Sequence, residues 1–163
     1  MESLLHFVDR LNRGMAFAAA VLLGGTVLLI LLEIFLWNFF QATTLIADEY
    51  SAYALAILVF WGAGLTLHEG GHIRIELILS QFPERIAGWI EAVATAVATG
   101  FMGYLLYYLY RMVSSTWSYD STSGTLTNTP LWIPQGIMLL GALAFFLQLL
   151  ATTLRSAQKL KSS

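Results

Sequence analysis

Four long apolar runs, separated by short polar stretches, organise this chain. They cover about residues 15–40, 49–67, 86–112 and 131–154. Each is long enough to cross a bilayer as a helix, which takes about 20 residues at about 1.5 Å per residue. The runs are continuous and not alternating, so they predict helices and not the strands of a closed barrel. The expected fold is an all-α membrane protein with four transmembrane helices in a single domain, residues 1–163. The first run exceeds the roughly 7–15 residues of a signal-peptide core and is read as a retained span. Ahead of it, Leu4, Leu5, Val8 and Leu11 recur at helical spacing among Glu2, Asp9, Arg10 and Asn12. That pattern fits a short interfacial helix on the inner membrane surface, or an inward extension of the first span.

Composition agrees with the pattern. Of 163 residues, 58% are hydrophobic and 11% are charged, against roughly 25% charged in soluble domains. There are no cysteines, so disulfides and thiolate-held metals are absent. The net charge of -2 is small and no basic cluster forms a nucleic-acid surface, so no nucleic-acid partner is expected.

The charges orient the spans. Arg10 and Arg13 precede the first, Arg74 and Arg85 lie between the second and third, and Arg155, Lys159 and Lys161 end the fourth. Only Arg111 falls on the other side. Basic residues favour the cytoplasmic side, so both termini and the loop with His72 are expected inside, N-in/C-in. The outward segments are then 41–48 and 113–130, the latter rich in Ser and Thr.

Candidate chemistry is sparse. His68-Glu69-Gly70-Gly71-His72 fits the H-E-x-x-H pattern, in which a zinc protease would use His68 and His72 as ligands and Glu69 as base. A Gly pair after a long apolar helix more often ends it, which would put His72 beyond the helix and spoil the spacing. No catalytic residue, metal ligand or cofactor is therefore assigned. Glu33 lies about seven residues, or roughly 10 Å, inside the outer end of the first span. A carboxylate at that depth needs a partner or water, or it marks a proton-coupled exporter, an alternative of a different class. Asp48 and Glu49 open the second span, where acidic groups suit a helix N-terminus. Gly62 and Gly64 in that span, and Ala92, Ala96 and Gly100 in the third, are small residues at spacings that let helices approach closely. Arg74 and Glu76 follow the Gly pair and suit an ion pair in the inner loop. Pro130 and Pro134 bracket the start of the fourth span, with Trp132 between them at the outer interface.

Taken in order, several of these segments resemble the small membrane subunit (DctQ type) of tripartite ATP-independent periplasmic, or TRAP, transporters. The carriers of the resemblance are Asp48-Glu49, Phe60-Trp61-Gly62-Ala63, the run from Glu69 through Gly70, Gly71, His72, Ile73, Arg74 and Ile75 to Glu76, then Pro83, Thr129-Pro130-Leu131-Trp132-Ile133-Pro134 and Gly141. The chain departs from it at Leu36-Trp37-Asn38-Phe39-Phe40, where many members carry an Arg-Tyr pair, and at Glu76, where many carry Asp. The resemblance implies a multi-pass protein of the bacterial inner membrane that works in a complex. Its partners would be a large multi-span subunit (DctM type), a periplasmic solute-binding protein (DctP type) and membrane lipids. The complex would import organic acids by sodium symport, and this chain would brace the large subunit and help dock the binding protein. Glu33, Asp48, Glu49, Trp61, Gly62, Gly64, His72, Arg74, Glu76, Pro130 and Trp132 are the interface or docking candidates.

Overall fold

A computed structural model describes residues 2–69 and 83–162 of the chain. Four helices follow one another: α1 Glu2–Phe40, α2 Ala47–His68, α3 Glu84–Ser118 and α4 Trp132–Ser162. Among the described residues there is no strand, only an isolated antiparallel bridge between Thr122 and Pro130. All four helices are long and apolar enough to cross a membrane.

The helix ends follow local chemistry. At the end of α1, Gln41 takes a left-handed conformation (φ 50°) and its N–H bonds the Trp37 carbonyl at 3.2 Å. This is an αL cap made without glycine. α2 stops at His68, and Glu69 caps it with an N–H to the Leu65 carbonyl at 2.9 Å. The chain has therefore left the helix before the Gly pair that follows Glu69. Pro83 precedes α3 in an extended conformation (φ −55°, ψ 144°) and its carbonyl accepts from Ile86 at 2.9 Å. Pro134 occupies the first turn of α4, where its missing N–H costs nothing.

α1 runs unbroken from Glu2, so the N-terminal amphipathic stretch extends the first span and is not a separate interfacial helix. At 39 residues it measures about 58 Å. α3, with 35 residues, measures about 52 Å. Both outrun a hydrocarbon layer of about 30 Å.

α4 is the central element. It packs against α3 and α2 and, over a smaller area, against α1, while α1 pairs mainly with α2. Met102, Ala142 and Leu149 form the buried centre of the α3–α4 contact, with Phe60, Leu105 and Phe146 packed around them. The buried apolar residues are mostly small, Ala19, Ala54, Ala142, Ala144 and Ala151 among them. Large apolar side chains such as Phe17, Leu28, Val97 and Phe101 point outward. This inversion suits an apolar solvent. Lipid supplies no hydrophobic drive between helices, so close backbone approach and buried polar bonds hold them together.

Candidate functional site

The polar side chains gather in three places. The first joins the N-terminal half of α1 to the C-terminal half of α4. The Asn12 amide donates to the Val8 carbonyl at 2.9 Å and to Gln148 Oε1 at 3.1 Å. Gln148 Nε2 donates to Asp9 Oδ1 at 3.2 Å, and Arg155 Nη2 reaches Asp9 Oδ2 at 2.7 Å. Gln148 is 0% exposed and Asn12 only 2%. A buried amide without a partner costs about 1–3 kcal/mol, so each member of this chain of bonds secures the next. Asn12 fits because Gly64 faces it from α2: a Cβ there would overlap the Asn12 amide.

The second place is the crossing of α2 and α4. Trp61 Nε1 donates to the Ile137 carbonyl at 2.9 Å. Its ring lies against Gly141, where a Cβ would come within 2.8 Å of Nε1 and 3.1 Å of Phe60 Cβ. A bare glycine on α4 thus admits an indole from α2. Trp61→Phe keeps an aromatic ring, though a smaller one, and loses the bond. We expect a loss of about 1 kcal/mol, read as a lower unfolding temperature of the full chain in mild detergent. An unchanged temperature would mean the indole N–H adds nothing at this crossing.

The third place is the α1–α2 and α3–α4 end of the molecule. The Glu33 carboxylate accepts from the hydroxyls of Thr43 and Thr44 and from the Thr44 N–H at 3.0 Å. The loop after α1 therefore doubles back along its own helix. Leu45, held left-handed at φ 58°, also belongs to that turn. Glu49, in the first turn of α2, accepts from Tyr53 at 2.8 Å and from the hydroxyls of Thr125 and Thr127. It ties the Ser/Thr-rich loop to α2. Tyr50 reaches Thr129 at 3.4 Å in the same region, and Ser123 and Thr129 close the loop through a 2.8 Å backbone bond. Trp132 meets Trp117 edge to face, ring centroids 4.5 Å apart, and so fastens the start of α4 to the end of α3.

The structure separates the sequence candidates by surroundings. Glu33, Glu49, Trp61, Gly64, Pro130 and Trp132 are occupied by contacts within this chain. Asp48 is exposed, and Gly62 would meet nothing within 4 Å if it carried a side chain. In α3, Ala96 and Gly100 are exposed, while Ala92 is half-buried. His72, Arg74 and Glu76 lie outside the described residues. The Asp9–Asn12–Gln148–Arg155 network is what the sequence reading missed. Gln148 carried a usable signal: a polar residue inside an apolar run needs a partner, by the argument applied to Glu33.

These features define a class first: a multi-pass membrane protein whose described polar groups serve to lock helices and loops together. Among the described residues, no group of three or more His, Asp or Glu is placed to hold a metal ion. Residues 26–159 match the family described as "Tripartite ATP-independent periplasmic transporters, DctQ component", and the chain belongs to that family. It is thus the small membrane subunit type of a TRAP transporter. No curated protein and no solved structure matches it. The match runs through Glu33 and through His68 and Glu69 alike, so neither the exporter nor the metalloprotease reading is carried further.

Proposed function

We propose that this chain braces the large membrane subunit of a sodium-coupled organic-acid importer and helps dock its periplasmic binding protein. It sits in the bacterial inner membrane with both termini cytoplasmic, and it has no catalytic centre. Seven of its eight basic residues fall on one side, which supports that orientation. The observation that carries the bracing role is the packing: α3 rests chiefly on α4. The outward residues of α3, including Trp89, Val93, Val97 and Phe101, are uncovered within the chain. Ala96 and Gly100 lie exposed on the same helix, and small residues let a partner helix approach closely. The loop tied down by Glu49, with Tyr119 81% and Leu126 75% exposed, supplies a firm outer surface for a binding protein. Gly62, Asp48, His72, Arg74 and Glu76 remain interface candidates on this reading.

Co-purification tests it. The tagged chain is expressed with its genomic neighbours and extracted in mild detergent. A large multi-span protein should be retained at one-to-one ratio. A lone chain or a homodimer would refute the bracing role.

A further inference from the structure

One surface feature meets the networks above only at Trp61. Near its N-terminal end α1 carries a groove of about 350 Å³. Phe7, Leu11, Met15 and Ala18 line it along one helix face, and Trp61 of α2 closes its side. Gly14 opens it, having nothing within 4 Å where a side chain would be. The lining is apolar but for Arg10, which contributes to its wall and is itself exposed.

The charge at this groove is unbalanced. Arg10 and Arg13 stand one turn apart, and neither has a carboxylate partner among the described residues. The nearest acid, Asp9, is held by Arg155 and Gln148. Arg10 stands five residues before the apolar run that starts at about residue 15, near the end of α2 that Gly64 brings against Asn12, and the groove continues from it to Ala18. That is eight residues, or about 12 Å along the helix. One leaflet of hydrocarbon is about 15 Å deep, half of the roughly 30 Å core. A cation at headgroup level above an apolar slot of leaflet depth fits an anion that carries a hydrocarbon tail. A partner helix would have to supply its own carboxylates to meet the arginines, whereas an anionic lipid brings the phosphate and the tail together.

We infer that this groove holds one acyl chain of an anionic phospholipid, with its phosphate on Arg10. The leaflet is the cytoplasmic one if the orientation proposed above is right; the contact itself does not depend on it. The lipid would fill the open side of the α1–α2 pair next to Trp61.

Native mass spectrometry of the full chain, released from detergent containing phosphatidylglycerol or phosphatidylcholine, tests this. Phosphatidylglycerol should be retained preferentially. Arg10→Gln should lower its retention about fivefold, as expected for one basic residue at an anionic surface. Gly14→Leu should fill the groove and abolish retention of either lipid. Arg111→Gln, at the other end of the molecule, should change nothing. Equal retention of both lipids, unaffected by Arg10→Gln and Gly14→Leu, would overturn the assignment. So would a complex with the large subunit that carries no lipid and in which cysteines at Gly14 and on that subunit cross-link.

Discussion

Gly64→Ala should destabilise this protein by about 1–5 kcal/mol net, although the same change in an unhindered helix would stabilise it by about 1 kcal/mol. The sign is the informative part. Gly64 lies within α2, and its missing Cβ is the space taken by the Asn12 amide of α1. A methyl group there has two effects. It pushes α1 from α2, and overpacking of that kind costs about 1–3 kcal/mol. It also pulls Asn12 from Gln148, and stranding one buried amide costs about 1–3 kcal/mol more. Neither loss is relieved by lipid, which offers no hydrogen bond.

Gly62→Ala is the control two residues away, since open space surrounds it. It should leave the unfolding temperature of the isolated chain unchanged or slightly raised. The Gly64→Ala protein should unfold well below the native temperature and reach the membrane in lower yield. Asn12→Ala removes the obstacle along with the hydrogen bonds. The double variant should therefore be less damaged than the two single losses added together, with a coupling of about 1–2 kcal/mol. Strictly additive losses would show that Gly64 and Asn12 do not share the site.

Much of this architecture was legible in the chain. Hydropathy located four spans, because about 20 continuous apolar residues have few other uses. The turns were partly legible: the Gly pair after Glu69 marked the end of α2, and Pro130 and Pro134 bracketed the start of α4. The paired contacts were not legible. Asn12 and Gln148 are 136 residues apart, and nothing in either local sequence states the relative depth of the two helices. Leu4, Leu5, Val8 and Leu11 left a surface helix and an extension of the first span equally open; the structure takes the extension, burying Asn12 along with Val8 and leaving Leu11 37% exposed. In lipid a polar face turned inward is the stable arrangement, the reverse of the rule for a soluble helix. Glu33 was singled out correctly as needing company, but its donors are ten and eleven residues ahead in a loop that folds back. Such a reversal depends on left-handed Gln41 and Leu45, residues that carry no glycine-like signal.

On the bracing role proposed above, cells lacking this chain should lose nearly all substrate uptake, even with the proposed large subunit and binding protein present. The reasoning begins with the faces left uncovered. α3 gives one flank to α4 and has no comparable contact with α1, and its exposed residues continue along its length from Trp89 to Tyr110. A partner fitted to such a face would, on losing it, have to meet lipid with a surface shaped for small residues. Any moving part of that partner would then push against lipid and not against a fixed wall. The internal locks make this chain suited to be that wall. Asn12–Gln148 and Asp9–Arg155 hold α1 to α4, Trp61 holds α2 to α4, and Glu49 holds the Ser/Thr-rich loop to α2. Radiolabelled uptake and immunoblotting of the large subunit, measured on the same cells, separate two kinds of failure. Bracing predicts a large subunit that persists in the membrane while uptake falls to background. Restoring the chain with Gly64→Ala should return only part of the uptake, in proportion to the folded chain. Full uptake in its absence would remove the bracing role altogether. Disappearance of the large subunit in step with uptake would instead assign the chain to the partner's biogenesis.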